Sequence, residues 1–312
     1  MKAIKKWLPL FLATTACSGP PENRPKVVRL AVDETVRPLI EEMTDVYSKR
    51  YPKLGFDVRY VPEAEALRLF EADSVRGVVL ARELPKSLVK RLKDSLKVTT
   101  TTRELAVDGV SPVVHPENPD TALSLAQIRD ILTGKIKSWK QLGKRTQDRP
   151  IVVVFDHEQS SLLRYAVDSI TGAERFAANV YAAGSNAKVL EYVAKNPDAL
   201  GFVGFNHISK AFRMGNDSTL KVKTVAVAAN PQSANDYKRL ADYSHYYLKT
   251  REYPLTRKLY IAHREPSHGP TSGFVAFASG NDGQLIVHKS GLLPVNVVIR
   301  LVELKEGDLK NP

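Results

Sequence analysis

Ser160 and Ser161, with Arg164 close behind, stand where an apolar run gives way to a helical pattern. Ile151 to Phe155 read as a buried strand, and Asp156 to Gln159 turn the chain. Leu163, Ala166, Val167 and Ile170 then recur with the period of a helix. The first N–H groups of a helix lack intrahelical partners, and the helix dipole adds partial positive charge there, so such a junction suits an anion. Two serine hydroxyls add donors, and an arginine adds a planar, permanently charged fork. The same residues equally suit a plain N-cap followed by a solvated face. Both readings stand on these residues alone.

Two further positions belong to the same chemistry. Asp33-Glu34-Thr35 forms a second strand-to-helix junction, and Arg82 follows a short apolar strand at its C-terminal end. Catalysis has weaker support. Asp156-His157-Glu158 precedes Ser160, but adjacent residues rarely align a base with its orienter, and the chain has no G-x-S-x-G turn. The seven histidines are scattered, and His263 with His268 is a weak pair for a metal. The expectation is a binding protein with no catalytic residue, metal or cofactor.

The elements that position these residues alternate. Val27–Val32, Phe56–Val61 and Gly77–Ala81 read as strands, separated by helices built on Val36, Leu39, Ile40 and Met43 and on Ala64, Leu67 and Phe70. That order predicts an α/β fold with a parallel sheet, whose ligands sit beyond the C-terminal strand ends, where Thr35 and Arg82 fall. A helix over 86–96 leads to an extended segment, 98–114, in which Asp108-Gly109 marks a passage between lobes. Further helices are expected over 123–133, 189–194, 271–279 and 285–288, and strands over 199–205, 220–228 and 253–262. The polar, tyrosine-rich stretch 231–251 carries little core signal and reads as a mobile insertion whose tyrosines suit packing or an interface.

The N-terminus reads as an export signal. Lys2, Lys5 and Lys6 precede the apolar run Trp7–Ala13 and the small residues before Cys17, a pattern too short for a membrane span of about 20 residues. Cys17 is the sole cysteine and sits where a lipoprotein signal places its lipidated residue; a chance cysteine in an ordinary signal is the alternative. Residues 18–26 form a tether. The formal charge of +12 suits small anions or anionic lipid, while export and the absence of an aromatic-interleaved basic patch argue against nucleic acid. About 290 remaining residues suit two lobes, 27–108 with 253–303 and 109–252.

Four segments carry a resemblance. Leu123 to Gly143, containing Thr-Gly-Lys-Ile and Trp139, resembles the "tGkI-x-x-W" segment of the phosphate-binding protein family of ABC transporters. Asn196 to Gly204 resembles that family's "N-P-x-A-I-G-Y" strand, Tyr253-Pro-Leu-Thr-Arg257 its "Y-P-l-s-R" strand, and Gly283-Gln284 with Gly291 to Pro294 its C-terminal "G-Q…P". The pattern is most similar to divergent lipoprotein-type members from Bacteroidota. The resemblance implies a type II periplasmic-binding-protein fold, two α/β lobes joined by crossover strands with a ligand cleft between them. It implies an anion held by strand-to-helix turns, which match Thr35, Ser160 and Ser161 with Arg164, and by the strand-end residue that matches Arg82.

The chain also departs from that pattern. Leu162 stands where a hydroxyl is expected, and the glycine-rich second turn is replaced by Pro62-Glu63-Ala64-Glu65-Ala66. An arginine at position 82 cannot accept a proton, so Arg82 with Arg164 would favour a fully ionised oxyanion or a carboxylate. Glu63 or Glu65 could instead neutralise Arg82. The expected function is therefore an extracytoplasmic solute-binding lipoprotein of the cell envelope, facing the periplasm and taking phosphate or a similar oxyanion to an ABC permease. The alternative is a non-transport envelope subunit that uses the same fold to sense a ligand or dock onto a membrane complex.

Overall fold

A computed structural model describes residues 26–143, 148–172, 176–213 and 221–296. The expected signal, Cys17 and nearly all of the tether lie outside the described residues. The chain opens with β1 (Lys26–Asp33), α1 (Arg37–Arg50), β2 (Leu54–Val61), α2 (Glu63–Glu71), β3 (Gly77–Leu80) and α3 (Lys86–Leu96). The long β4 (Thr101–Val114) follows, then β5 (Ala122–Ser124), α4 (Leu125–Leu132), β6 (Val152–Phe155), α5 (Ser161–Tyr165), β7 (Val180–Ala182), α6 (Asn186–Lys195) and β8 (Ala199–Gly204). Next come α7 (Ser209–Arg213), β9 (Lys223–Thr224), β10 (Ala226–Ala228) and α8 (Leu240–Thr250). The chain returns through β11 (Thr256–His263), α9 (Pro270–Ser279), α10 (Asn281–Lys289) and β12 (Leu293–Pro294).

One curled sheet runs through the molecule in the order β2-β1-β3-β11-β4-β8-β6-β7. Its two ends are parallel, β1 against β2 and β3, and β6 against β7 and β8, as strand–helix–strand connections require. Its middle is antiparallel. The first half of β4 pairs with β11 from Thr101 to Gly109, and the second half pairs with β8 from Val110 to Val114. The backbone thus changes lobes at Gly109–Val110. A Cβ on Gly109 would lie 2.2 Å from Leu240 Cδ1, so a side chain there would have to displace the end of the buried Leu240 that packs α8 on the crossover.

Each lobe has its own core. In the first, Leu39, Ile40, Met43 and Tyr47 form the buried stripe of α1 against Val28, Leu30, Val32 and Ile261, while Phe70, Val78 and Leu80 pack on the opposite sheet face. In the second, Val153, Phe155, Phe202 and Val203 pack with Ile128, Ile131 and Val189. Each full burial of such a side chain contributes about 1.5–3 kcal/mol. Tyr253 and Leu255 belong to this second core, so the return crossover begins at β11.

The family-like motifs serve mainly as staples. Trp139 is fully buried, and its indole N–H donates to Asp198 O at 3.0 Å, joining two of the resembling segments. Tyr253 donates its hydroxyl to Val110 O at 2.7 Å, and the amide of Gln284 donates to Leu105 O at 2.9 Å.

Four expectations are corrected. The stretch 231–251 is not a coreless insertion: α8, kinked at Tyr243, buries Leu240 before the kink and Leu248 after it. The predicted strand 220–228 is two short strands broken at Val225, one on β4 and one parallel to β5, and its first residue lies outside the described residues. The helix expected from Leu123 starts at Leu125, because Ser124 closes β5 and forms a capping box with Gln127. The helix after Ser160 keeps α geometry only to Tyr165 and continues as a π-helical turn to Thr171.

Candidate functional site

The two hydroxyl-bearing turns meet across the lobes. At the end of β1, Asp33 caps the following 3-10 turn, its Oδ1 accepting from Thr35 N at 3.1 Å. At the end of β6, Ser160 is the N-cap of α5, and its Oγ accepts from Leu163 N at 3.1 Å. These caps set Thr35 and Ser161, both fully buried, with their hydroxyl oxygens 3.2 Å apart. Ser160 thus fills the capping role, and Ser161 faces the opposing lobe.

A residue absent from the expected set lies between them. Arg257, on β11, donates from Nη1 to Ser161 Oγ at 2.8 Å and from Nη2 to Thr35 Oγ1 at 3.0 Å. Its Nε and Nη2 also donate to Asp108 Oδ2, at 3.0 and 2.8 Å. Arg257 and Asp108 are directly paired in the β11–β4 register, so the sheet itself builds this ion pair. The signal was in the sequence: Leu255, Arg257, Leu259 and Ile261 share one strand phase and are all buried. A cation in an apolar phase requires a partner, and Asp108 in the Val-rich strand supplies it.

Arg164 and Arg82 are placed elsewhere. Arg164 donates from Nε and Nη2 to both oxygens of Glu63, at 2.5 and 3.2 Å, and from Nη2 to Ala81 O at 3.1 Å. Its Nη1 donates to Asp168. Arg82 Nε lies 3.4 Å from Glu63 Oε2 with its side chain 38 % exposed. Glu63 is therefore the carboxylate that neutralises Arg82, while Glu65 pairs with Arg68 on the surface. The structure brings Thr35 and Ser161 to one point, keeps Ser160 beside them as the helix cap, and holds Arg82 and Arg164 together on Glu63.

Other groups join the lobes around this centre. The amide of Asn186 donates to Glu34 Oε2 at 2.8 Å and to Asp156 Oδ2 at 3.3 Å, and its carbonyl accepts from Gly204 N. Asn206 donates to Thr35 O at 2.9 Å. His207 Nε2 lies 3.3 Å from Glu34 O, and burial pushes its imidazole down to about 4, which keeps it neutral.

Carboxylates are abundant here. Asp33, Asp108, Asp156 and Glu63 are all buried. Burial raises Asp33 to about 7, with Glu63 adding repulsion and Arg257 opposing it. Burial likewise raises Asp156 to about 6. Asp33 Oδ2 and Asp156 Oδ1 are among the buried atoms without a hydrogen-bond partner within the described residues. The centre offers two hydroxyl protons, one guanidinium and two carboxyl groups that can carry protons near neutral pH. Such a set can hold an oxyanion whose charge is balanced by bound protons. Among the described residues no group of three or more His, Cys, Asp or Glu side chains is placed to hold a metal ion.

Comparison with known proteins agrees with this architecture. A family model described as a PBP superfamily domain matches residues 19–280. The phosphate-binding protein PstS of Pseudomonas aeruginosa is 21 % identical over 288 residues, covering 88 % of this chain and 84 % of that protein. PstS of Bacillus subtilis is 27 % identical over 196 residues, covering 62 % of this chain and 57 % of that protein. Among solved structures, a substrate-binding protein assigned to a phosphate ABC transporter of Clostridium perfringens, with bound phosphate, gives a TM-score of 0.70 at 22 % identity. That match covers 86 % of this chain and all of the other. A phosphate transport receptor of Vibrio cholerae gives 0.61 at 22 % identity, covering 86 % of this chain and all of the other. The fold is the type II periplasmic binding fold.

Proposed function

Because the chain belongs to the PBP superfamily, we propose that it is an extracytoplasmic solute-binding lipoprotein that takes phosphate or a similar oxyanion for ABC-type uptake. The observation that carries this reading is the meeting of Thr35 and Ser161 over the Arg257 guanidinium. Both hydroxyls accept from Arg257 and keep a proton to donate. A tetrahedral oxyanion needs each donor about 2.7–3.1 Å from a separate oxygen. The lobes therefore part to admit it, with Thr35 moving on the first lobe and Ser160 and Ser161 on the second. We place the first lobe at 27–108 and from β11 onward, and the second at 109–255, three residues beyond the boundary expected at 252, since Tyr253 and Leu255 pack in the second core. Cys17, lipidated, holds the chain at the membrane and near its permease, and no helix among the described residues is long and apolar enough to span a bilayer.

Arg82 and Arg164 act here at a distance, since Glu63 already holds both. That reverses the pH dependence expected of two free arginines. An anion entering beside Asp33 and Asp156 binds best when they are protonated, so affinity strengthens as pH falls from 8 toward 6. Calorimetric titration with phosphate at pH 6 and pH 8 tests the reading. Measurable heat, with tighter binding at pH 6, supports it; no heat with phosphate, sulfate or simple carboxylates contradicts it. That second result would favour the docking or sensing subunit, a reading supported by the Glu63–Arg164 contact that already ties the lobes together. Membrane attachment is tested separately. Cys17→Ala should release the protein from membranes, and retention after a high-salt wash would contradict lipid anchoring.

A further inference from the structure

The turn that departs most from the resembling family contributes a carboxylate in place of glycine backbone. Glu63 opens α2, is 2 % exposed, and sits among donors that would suit a bound anion. Arg164 of the second lobe grips both of its oxygens, Ala81 N donates to Oε1 at 3.2 Å, and Arg82 approaches Oε2. Arg164 also donates to Ala81 O, and Ala64 N reaches Gln159 O of the second lobe at 3.5 Å. Arg164, Ala81 N and Arg82 thus meet at one carboxylate that belongs to the chain itself.

We propose that Glu63 is a tethered anion that closes the cleft, occupying from within the position beside Arg164 and Arg82 and tying the two lobes without help from a solute. The physical argument is one of connectivity. Arg164 rides on α5 of the second lobe, whereas Glu63, Ala81 and Arg82 belong to the first. A bidentate guanidinium–carboxylate pair is among the stronger and more directional contacts available to two surfaces. Removing either partner leaves the other charged and poorly solvated, a penalty relieved when the lobes separate and water enters. Because the carboxylate is covalently attached, its effective concentration at the arginines exceeds that of free anions in dilute solution. This device concerns closure and stands apart from whether phosphate binds between Thr35 and Ser161.

The test is small-angle scattering on the full chain dialysed free of phosphate and carboxylates. Glu63→Ala and Arg164→Ala should each shift the open-to-closed ratio toward open by at least about tenfold, seen as a larger radius of gyration. Glu65→Gln, which alters a surface pair with Arg68, should scatter like the parent chain. Acetate at high concentration should compact Glu63→Ala again, by filling the vacated carboxylate position, and should leave Arg164→Ala open. Far-UV and near-UV circular dichroism separate opening from unfolding, and Glu63→Gln, which keeps the shape without the charge, replaces Glu63→Ala if that variant unfolds. Equal scattering from the parent and both partner variants overturns the proposal. So does a folded, expanded Glu63→Ala that acetate fails to compact. Failure of phosphate to bind the parent chain overturns the proposed ligand and leaves the closure result to be judged on its own.

Discussion

The Asp33–Thr35 and Asp156–Ser161 turns, set against the Pro62–Ala66 turn, show how one backbone device serves two ends. All are strand-to-helix junctions at the C-terminal ends of parallel strands. The first two deliver hydroxyls to a guanidinium held by Asp108. The other delivers Glu63 to Arg164. The backbone fixes where a group is presented; the side chain decides whether that place receives a solute or is filled by the protein. A glycine-rich turn would leave backbone N–H groups for an external anion, and a glutamate supplies the anion itself.

The contrast can be broken most severely at Arg257. Arg257→Met leaves Asp108 buried and uncompensated, which should lower unfolding free energy by about 3–5 kcal/mol and abolish oxyanion binding. Denaturant titration checks the first effect. Arg257→Met with Asp108→Leu should recover much of the stability and none of the binding, which separates the two roles of the pair. Next in size come the hydroxyls. Thr35→Val and Ser161→Ala each remove a donor to a charged ligand and should each weaken phosphate binding about 10- to 100-fold, measured by calorimetry.

Asp33 gives a smaller effect, with a definite sign. Its carboxyl is raised to about 7, so the folded chain binds a proton that the unfolded chain, near 3.8, has released. The stability contributed by Asp33 therefore falls as pH rises from 6.5 to 8, while His207, neutral when folded but half protonated near pH 6.5 when unfolded, contributes a smaller rise at the acid end of that window. Asp33→Asn should remove this fall and shift the slope of melting temperature against pH upward across that window; an unchanged slope would show that another group is responsible. The smallest change is expected at Arg82, which is partly exposed and meets Glu63 at 3.4 Å. Arg82→Gln should move stability by less than about 1 kcal/mol and phosphate affinity hardly at all. A large loss of affinity would place Arg82 in the ligand site and erase the distinction between the turns.

Much of this architecture is legible in the sequence, because strand and helix periods recur cleanly through β1, α1, β2, α6 and α9. The strand-to-helix junctions are legible for the same reason, and Ser160 and Ser161 follow from the apolar run before them. Arg257 was harder to see. Its strand phase is readable, but its partner lies 149 positions away, and register decides that Asp108 sits opposite. For Arg82 the glutamates of the second turn are visible as candidate partners, but nothing in the sequence shows that Glu63 rather than Glu65 reaches it, or that Glu63 also binds Arg164 of the other lobe. Long-range pairing of this kind leaves no periodic trace. The helix α8 was obscured by its polar surface, since two buried leucines among tyrosines and lysines give little amphipathic contrast.

The central claim is that the Thr35–Ser161 pair, and not the Glu63 turn, receives the solute. Parallel calorimetric titrations with phosphate, on the parent chain and on Thr35→Val/Ser161→Ala, test it most directly. The account predicts saturable heat from the parent and none from the double variant, with both proteins showing the same folded circular dichroism spectrum. Equal affinity in the two proteins would contradict it.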